Sequence, residues 1–420
     1  MRMLFVTRLF SGLESSCNNE SWKPTGVPAI YKMMEKFDSD ATSVDFILTQ
    51  KDGATIWRNT WIKKIKFPQL KNNFTILPSE FFLSRFFPRK LNFIIRELFH
   101  LFYILSKAIF RSYDVVYIDH ANTYTASFLA RFSSLPVVYR VMGVYPYMKR
   151  VLKGNSSLSM CFMRWCYRSP FTLVVCTQDG SGIENWLQLA LHRKVPKLAL
   201  INGVDASSNN IDFIHNQKML PFSKDENFIL LFVGKLEQAK GILEFLMITE
   251  TLLKKLPQFR AVLVGTGAEK NKMLVMMQEY IQEGRFIYFD RLSHDKISQL
   301  HHEVSAYISL NKLGSLSNAN LEAYKYGQCV LIPLSQNKND VDKFTDEFVP
   351  SECVVRFGEC DDIEAAIKQL MVLNKDSMKV EQLKIKMKKW ANTHIISWQE
   401  RVDLEWKSID QAINFATSQV

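Results

Sequence analysis

The sequence predicts an α/β protein with two domains, each built on parallel strands. Its 420 residues exceed the usual size of one domain, and 47% of them are hydrophobic, so the chain can bury an ample core. The short apolar run Phe228–Val233 fits a fully buried parallel strand. After it, Ile242, Phe245 and Leu246 recur at helical spacing. Strands that alternate with helices in this way are typical of parallel sheets.

The N-terminal half shows the same alternation. Its first strand, with the sequence MLFV, runs into a long polar loop, and the apolar positions of Pro24–Phe37 then predict a helix. The linker between the halves is expected near Gly203–Ser208. Further strands are predicted at Val44–Leu48, Val115–Asp119, Val137–Val141 and Leu173–Thr177.

Two lysines distinguish the loop that follows the strand Phe228–Val233. Lys235 and Lys240 lie between Gly234 and Gly241, just before a predicted helix. The N–H groups and the dipole at a helix N-terminus favour an anion, and a glycine allows the backbone to approach it closely. The loop therefore predicts a pyrophosphate site, although a surface loop with two solvated lysines has the same pattern.

Four motifs of the C-terminal half occur together in one order. They are LINGVDASS (200–208), VGKLEQAKG (233–241), AVLVGTGAEKNKM (261–273) and GSLSNANLEAYKYGQCVLIP (314–333). On these motifs the chain resembles the retaining GT-B glycosyltransferases of family 4, the glycosyl transferase group 1 proteins, well over residues 200–415 and loosely before them. The resemblance implies two Rossmann-like domains facing across a cleft. It places the acceptor domain at 1–205, the nucleotide-sugar donor domain at 206–396, and a helix crossing back to the acceptor domain at 397–420.

The same resemblance implies roles for single residues. Lys235 and Lys240 would neutralise the leaving nucleotide diphosphate during catalysis, and Glu322 would bind the ribose. Without the resemblance, Glu322 is a first-turn acid that favours its helix dipole, and Gly26 marks a plain helix N-terminus. The residues implied for donor binding are Gly26, Gly234, Gly265, Gly267, Ser317, Asn318, Ala319 and Glu322.

One position departs from the family pattern. The family has two glutamates eight positions apart; Glu322 fits the second, whereas Gly314 stands in place of the first. In the family that first glutamate contacts hydroxyls of the donor sugar. The backbone N–H groups of Leu316, Ser317 and Asn318 are still expected to hold the distal phosphate, because this contact needs no particular side chain.

His120 is the catalytic candidate of the N-terminal half. It directly follows the predicted strand Val115–Asp119, and members of the family often have a histidine at a similar point near the transferred sugar. A hydrogen-bonded surface histidine at the end of a strand is the alternative. Asp119 and the backbone near Gly143 are weaker candidates.

Neither a metal nor another cofactor is expected. The DxD-like string at Asp38–Asp40 follows a predicted helix rather than a nucleotide-binding strand. Cys161 and Cys166 lack the spacing of metal ligands, which suggests two small hydrophobic residues on a helix. Seven scattered cysteines without a CxxC pair favour a reducing, cytoplasmic compartment.

Basic and aromatic residues in the N-terminal half indicate an anionic membrane surface as a partner. Ser79–Phe110 mixes phenylalanine, leucine and cations as a helix lying on a bilayer does, although a core-facing helix with snorkelling cations has the same composition. This composition suggests peripheral binding at the inner face of the cell membrane. Nucleic acid is not expected, because no recognition motif accompanies the net charge of +11. An acid-free stretch between Asp119 and Asp179 carries the cations expected to attract anions: Arg131, Arg140, Lys149, Arg150, Lys153, Arg164 and Arg168.

Together these features predict a metal-independent glycosyltransferase that retains anomeric configuration. Its substrates would be a nucleotide-diphosphate sugar and a glycan or polyprenyl-pyrophosphate-linked acceptor, as in polysaccharide biosynthesis. A sugar-nucleotide epimerase of the same architecture is one alternative, but it usually carries several acids in its cleft, which the acid-free stretch argues against. A non-catalytic nucleotide- or glycan-binding homologue is the other, and Gly314 is compatible with it.

Overall fold

The computed structural model describes residues 1–50, 59–80, 88–154, 157–205, 218–336 and 340–417. The chain divides into two compact units, and neither is one continuous stretch. The first unit comprises Met1–Thr177, Ile183–Leu200 and Gln399–Val420. The second unit comprises Gln178–Gly182 and Ile201–Trp398. The short segment Gln178–Gly182 therefore belongs with the C-terminal half, which the sequence did not indicate.

One sheet forms the centre of the first unit. Its strands are β1 (Arg2–Arg8), β2 (Ser43–Thr49), β3 (Lys63–Lys66), β4 (Asn73–Ile76), β5 (Val115–Asp119), β6 (Val137–Val141), β7 (Leu173–Thr177) and β8 (Lys197–Leu200). The described strands lie in the order β3-β4-β2-β1-β5-β6-β7-β8 and pair in parallel, except β3 with β4. The sequence order reverses between β1 and β5, which makes their carboxyl ends the switch point of the sheet.

Helices cover both faces of this sheet. They are α1 (Ser11–Asn18), α2 (Pro28–Asp40), α3 (Arg89–Phe110), α4 (Thr123–Phe132), α5 (Pro146–Leu152), α6 (Leu158–Tyr167) and α7 (Ile183–Ala190). Helix α2 begins at Pro28 and not at Pro24 as predicted. Gly26 has a φ of 93°, outside the helical range, and Pro28 then occupies the first helical turn, where its missing N–H costs nothing.

The last helix of the described chain, Trp398–Thr417, contributes to the core of the first unit from Gln399 onward. Val402 is buried among the core residues beneath α2, and Trp406 packs with its ring centroid 5.2 Å from that of Phe37. Burying such aromatic and branched side chains stabilises a fold by about 1.5–3 kcal/mol each. This C-terminal helix is therefore an integral layer of the unit.

Arg140 corrects one expectation drawn from the sequence. The sequence predicts that Arg140 is one of the cations that attract anions, but its side chain is fully buried in β6. Its guanidinium donates hydrogen bonds to the carbonyl oxygens of Val141 and Val175 and to the Thr177 hydroxyl, and it forms an ion pair with buried Glu405. A buried charge needs such partners because its desolvation is costly. Arg140 therefore adds nothing to a basic surface.

The second unit has a fully parallel sheet in its described part. Its strands are β9 (Phe228–Val233), β10 (Phe259–Val264), β11 (Phe286–Phe289), β12 (Ala306–Ile308), β13 (Val330–Pro333) and β14 (Val354–Phe357). They lie in the order β11-β10-β9-β12-β13-β14. This order reverses between β9 and β12, so their carboxyl ends form the switch point where open α/β sheets bind ligands.

The helices of the second unit pack on both faces of that sheet, and an apolar core lies on each face. They are α8 (Ile242–Lys255), α9 (Lys270–Met276), α10 (Gln278–Gln282), α11 (His294–Glu303), α12 (Asn318–Lys325), α13 (Lys343–Phe348), α14 (Ile363–Lys375) and α15 (Ser377–His394), and the C-terminal helix that follows is α16. Helix α12 starts two residues before the predicted start near Asn320. Its N-cap is Ser317, whose hydroxyl accepts the N–H of Asn320.

Helix α3 turns a row of large apolar side chains outward. Arg96 and His100 are buried on its inner face, whereas Phe102 is 65% and Phe110 85% exposed. The sequence-predicted amphipathic segment Ser79–Phe110 lies partly outside the described residues, because 81–87 are not described. Searched over its described parts, the structure has no helix that is both long and apolar enough to span a bilayer. The exposed apolar side chains of α3 are Leu91, Phe93, Ile94, Leu98, Phe102, Ile109 and Phe110.

Candidate functional site

Two loops meet at the switch point of the second unit. One follows β9 and contains the lysine pair; the other follows β12. The N–H of Lys312 donates to the carbonyl oxygen of Ala239 at 3.0 Å, and Lys240 Nζ donates to Asn311 Oδ1 at 3.4 Å. These bonds fix the end of the lysine loop against the β12 loop, so the lysine-bearing turn has a defined position at the edge of the sheet.

The glycines of this region make the loops fit backbone against backbone. A Cβ on Gly265 would lie 1.8 Å from the carbonyl oxygen of Gly234, and one on Gly267 would lie 2.5 Å from that of Leu236. Gly265 also has a φ of 150°. Gly241 closes the turn at a φ of 76°, where a Cβ would meet Leu310. Close loop packing is therefore sufficient reason for Gly265 and Gly267, whatever ligand they face. At Gly234 a Cβ would make only ordinary contact with Phe232.

The two lysines have different surroundings. The Lys235 side chain is 73% exposed and lies 4.0 Å from Glu237. Lys240 is partly buried, and burial lowers the pKa of its ammonium, although Asp179 and Glu237 act in the opposite direction. A partly desolvated cation interacts more strongly with an anion than an exposed one does. Lys240 is thus the stronger candidate for contact with a phosphate.

The N-terminus of α12 lies on the loop that follows β12. The amides of Asn318 and Ala319 stand in the first turn, where an α-helix offers no internal acceptor. Asn318 Oδ1 accepts a hydrogen bond from Asn202 Nδ2 at 2.6 Å. The expectation for Leu316 is wrong, because its N–H donates to the carbonyl oxygen of Asp179 at 3.2 Å. The amides of Ser317, Asn318 and Ala319 remain as candidates for the distal phosphate.

Glu322 projects from the middle of α12 and is largely buried. Its Oε1 lies 3.5 Å from His294 Nδ1, at the start of α11. The side chain of His294 is 83% exposed, and its pKa is raised chiefly by a hydrogen bond to Glu322. The pair holds the Glu322 carboxylate beside the loop that follows β11, within the same edge of the sheet as the lysine loop. This position suits contact with a ligand's ribose. The helix-dipole alternative is wrong, because α12 begins at Asn318 and Glu322 lies beyond its first turn.

Backbone packing explains why glycine occupies position 314, which the sequence did not reveal. The φ of Gly314 is 132°, and a Cβ there would lie 2.3 Å from the carbonyl oxygen of Asp179 and 2.6 Å from the carbonyl carbon of Gly180. The segment Gln178–Gly182 occupies the space into which a side chain at residue 314 would extend. A glutamate is therefore excluded here by backbone packing.

Asp179 and Asn311 are candidate site residues that sequence reasoning missed. Asn311 Oδ1 contacts Lys240, and its Nδ2 donates to the carbonyl oxygen of Gly314 at 2.6 Å. Burial raises the pKa of Asp179 to about 6, while hydrogen bonding from Ser181 and the charge of Lys240 oppose this shift. The one available signal was the sequence DGSG at 179–182, whose two glycines separate strand β7 from helix α7.

His120 stands at the switch point of the first unit. It opens a short 3₁₀ turn, His120–Asn122, directly after β5. Its ring stacks on Tyr145 with centroids 5.9 Å apart, and its Nδ1 is buried without a hydrogen-bond partner among the described residues. Burial lowers the pKa of the imidazole, although Asp119 opposes this shift, so the ring is neutral at pH 7. Such a group can exchange hydrogen bonds with a ligand.

Asp119 is a structural residue rather than a free acid. Its carboxylate accepts hydrogen bonds from the Thr7 hydroxyl at 2.6 Å, the Arg8 N–H at 3.0 Å and Asn122 Nδ2 at 2.7 Å. These bonds join the carboxyl ends of β1 and β5 and hold the turn that carries His120.

Gly26 lies in the loop before α2, and a Cβ there would meet nothing within 4 Å. Its left-handed φ, not close packing, explains the glycine.

The aspartates of the DxD-like string at Asp38–Asp40 make structural contacts. Asp38 accepts the N–H groups of Lys71 and Asn72 at 2.7 and 2.8 Å, and Asp40 forms an ion pair with Lys36 at 2.8 Å. Among the residues that the structure describes, no group of three or more His, Cys, Asp or Glu side chains is arranged to hold a metal ion.

Comparisons with known proteins concern the second unit and the fold. Residues 215–389 match the family described as Glycosyl transferases group 1. Sucrose-phosphate synthase from Thermosynechococcus elongatus superposes with a TM-score of 0.68 at 12% identity, covering 98% of each chain. Anabaena HepE in complex with UDP and glucose superposes with a TM-score of 0.61 at 14% identity over 100% of each chain. The catalytic domain of starch synthase IV from Arabidopsis thaliana, bound to ADP and acarbose, gives 0.61 at 11% identity over 98% of this chain and 99% of its own. No curated protein matches the chain in sequence.

The fold is that of the GT-B glycosyltransferases, with two parallel-sheet units of Rossmann-like order. Within the second unit, residues 215–389 carry a glycosyl transferases group 1 domain.

Proposed function

We propose that the enzyme transfers a sugar from a nucleoside diphosphate sugar to a glycan or lipid-linked acceptor, with retention of configuration and without a metal ion. The observation that supports this most is the position of Lys240. It is partly buried at the switch point of the group 1 domain, and the loop beside it leads into the N-terminus of α12. Two of the three structurally similar proteins described above bind UDP and ADP, respectively, so the test below includes donors with different bases.

The chemistry needs positive charge where the leaving group forms. When the bond from the anomeric carbon to the phosphate oxygen breaks, negative charge accumulates on the diphosphate. The Lys240 ammonium and the first amides of α12 supply positive charge without a metal. Exposed Lys235 adds a weaker, screened attraction. Glu322 is assigned to the ribose.

His120 is proposed to contact the transferred sugar. A neutral imidazole with an unpartnered Nδ1 can accept or donate one hydrogen bond to a hydroxyl group. It lies at the switch point of its own sheet, where the turn is held by Asp119. His120→Ala should lower turnover more than it raises the KM for the donor.

Peripheral binding to an anionic membrane is proposed for the first unit. The exposed apolar row of α3 fits insertion into the headgroup region, and exposed Arg150, Lys153 and Arg168 fit attraction to anionic lipid. A lipid-linked acceptor lies in such a surface, which connects this location with the proposed reaction.

The test is a donor panel. The purified enzyme is incubated with UDP-glucose, UDP-galactose, ADP-glucose and GDP-mannose, each with and without a polyprenyl-linked glycan extract, with and without EDTA. Acceptor-dependent release of the nucleoside diphosphate, with an unchanged anomeric configuration by NMR, is the expected result. Interconversion of one nucleotide sugar into another would contradict transfer and indicate an epimerase. Binding without any turnover would contradict catalysis.

A further inference from the structure

We propose that Asp179 binds hydroxyl groups of the donor sugar. Asp179, in the segment Gln178–Gly182, would supply a carboxylate in place of the one that the family has at the position of Gly314. This inference rests on the proposed function, because it requires a nucleotide sugar beside Lys240.

The segment that carries Asp179 is held firmly in the second unit. Its Asp179 carbonyl oxygen accepts the Leu316 N–H at 3.2 Å, and its Gly180 carbonyl oxygen accepts the Asp342 N–H at 2.7 Å. Asp342 is buried and in turn accepts the N–H of Ser315. The backbone of Asp179 is thus fixed against the loop that leads into α12.

The glycines of the segment are required for this packing. Gly180 has a φ of 84°, and a Cβ on it would lie 2.4 Å from Asp342 Oδ1. Gly182 has a φ of 80°, and a Cβ there would lie 2.7 Å from the carbonyl oxygen of Asp340. The segment can lie this close only because both residues lack side chains. The arrangement brings one acidic side chain to the edge of the sheet where the lysine loop ends.

The neighbours of Asp179 belong to the proposed phosphate site. Lys240 and Asp179 are close enough for each to change the pKa of the other. Asn311 connects the two sides, since it accepts from Lys240 and donates to the Gly314 carbonyl oxygen, and Gly314 packs on Asp179. In a nucleotide sugar the hexose is bonded directly to the distal phosphate. A carboxylate next to the lysine that contacts this phosphate is therefore within reach of the hexose.

The chemistry favours a neutral sugar. One oxygen of Asp179, Oδ1, accepts the N–H of Ser181 at 3.0 Å, and the carboxylate can accept further hydrogen bonds from hydroxyl groups. Burial brings the pKa of Asp179 to about 6, so the group is ionised at pH 7.5 and becomes a protonated, weaker acceptor below pH 6. A uronic acid would place a second negative charge beside it. Donors with a neutral hexose are therefore the expected class.

The test compares Asp179→Asn with the wild-type enzyme by calorimetry. The probes are UDP, UDP-glucose, ADP and ADP-glucose. Asparagine retains an oxygen that accepts the Ser181 N–H but loses the charge. We expect the variant to bind the free diphosphate as tightly as wild type or more tightly, because Lys240 loses a competing anion. The variant should bind the corresponding nucleotide sugar about tenfold or more weakly, since a hydrogen bond to a charged group is lost.

Controls separate this role from folding and from the proposed function. Asp225→Asn makes the same change at an exposed position before β9, at the opposite end of the strand, and it should leave sugar binding unchanged. The wild-type enzyme should bind the nucleotide sugar more tightly than the free diphosphate, and this difference in affinity should decrease as the pH falls through about 6. In Asp179→Asn the difference should not change with pH. Wild-type sugar binding that persists unaltered in Asp179→Asn overturns the inference and leaves the proposed function intact. A wild-type enzyme that binds no probe and transfers no sugar overturns both.

Discussion

Arg140 Nε lies 3.5 Å from Glu405 Oε1, and both side chains are completely buried. Glu405 also contacts buried Arg401 and accepts a hydrogen bond from the Tyr117 hydroxyl at 2.6 Å. One carboxylate of helix α16 thereby neutralises two arginines inside the first unit. The contact joins residues far apart in sequence and ties the helix to strand β6.

The first prediction concerns this buried pair. Glu405→Ala should lower the free energy of unfolding by about 3–5 kcal/mol, because it leaves two arginines buried without a counter-charge. Urea denaturation measures the change. Lys407→Ala, at an exposed position of the same helix, is the control and should have little effect. Loss of less than 1 kcal/mol in Glu405→Ala would show that the arginines find other partners.

A second prediction compares the lysines of the loop after β9. Lys240→Ala should lower turnover at least tenfold, about 1.4 kcal/mol or more of barrier, because a partly buried charge next to the leaving diphosphate is removed. Lys235→Ala should have a smaller effect, since its side chain is 73% exposed, and Lys235→Arg should be tolerated. Steady-state kinetics of folded variants decides the matter. Equal effects of both alanine changes would contradict the distinction between the two lysines.

The third prediction concerns Glu322. If its carboxylate binds the ribose, Glu322→Gln should weaken the binding of free UDP or ADP in calorimetry, with little change in melting temperature. Glu347→Gln, at an exposed position of α13, serves as the control. Unchanged nucleotide affinity would contradict the ribose role and leave the contact with His294 as the role of Glu322.

The fourth prediction concerns the loss of folding stability at acidic pH, to which His301 contributes. This histidine is completely buried, and neither ring nitrogen has a hydrogen-bond partner among the described residues. Burial lowers its pKa from 6.5 to about 3. The unfolded chain therefore binds a proton below pH 6.5 that the folded protein does not bind until about pH 3. The contribution of neutral His301 to the free energy of unfolding is therefore fully present above pH 6.5, and it is lost as the pH decreases from 6.5 towards 3.

His301→Phe tests this pH dependence. Its ring can keep the stacking on Tyr326, where the centroids are 5.1 Å apart. Between pH 6.5 and 5 the variant should lose about 2 kcal/mol less stability than wild type. Chemical denaturation at several pH values measures the difference. His100, whose pKa burial lowers to about 4, should maintain part of the acid sensitivity in the variant. Identical pH profiles would contradict the assignment to His301.

The fifth prediction tests the membrane surface. The protein should co-sediment with vesicles that contain anionic lipid, be released by high salt and bind neutral vesicles poorly, because each near-surface cation contributes about 1 kcal/mol. Replacing Phe102 and Phe110 together by serine should weaken binding at unchanged stability, whereas Met378→Ser in the second unit should not. Sedimentation that ignores both lipid charge and salt would contradict the electrostatic mechanism. Arg85, a cation of the predicted membrane segment Ser79–Phe110, lies outside the described residues.

Local patterns made much of the fold predictable. Apolar runs located β5, β6, β7 and β9 to the residue, because a buried parallel strand reads as an uninterrupted hydrophobic stretch. The loop with Lys235 and Lys240 was found in the same way, since its glycines and lysines are adjacent in sequence.

Long-range contacts were not predictable. The burial of Arg140 depends on Glu405, and the position of Asp179 depends on Gly314 and Asp342. Each of these contacts joins residues more than a hundred positions apart, where single-sequence patterns carry no information. The same limit hid Asn311, which lies between the lysine loop and Gly314.

The discontinuous first unit has a consequence for synthesis on the ribosome. Strands β1 to β8 are made early, yet the carboxylate that compensates Arg140 arrives only with residues 399–417, after the whole second unit has been translated. Until then the nascent sheet exposes apolar surface and an uncompensated arginine. We therefore expect the first unit to complete its fold only after residues 399–417 have left the ribosome.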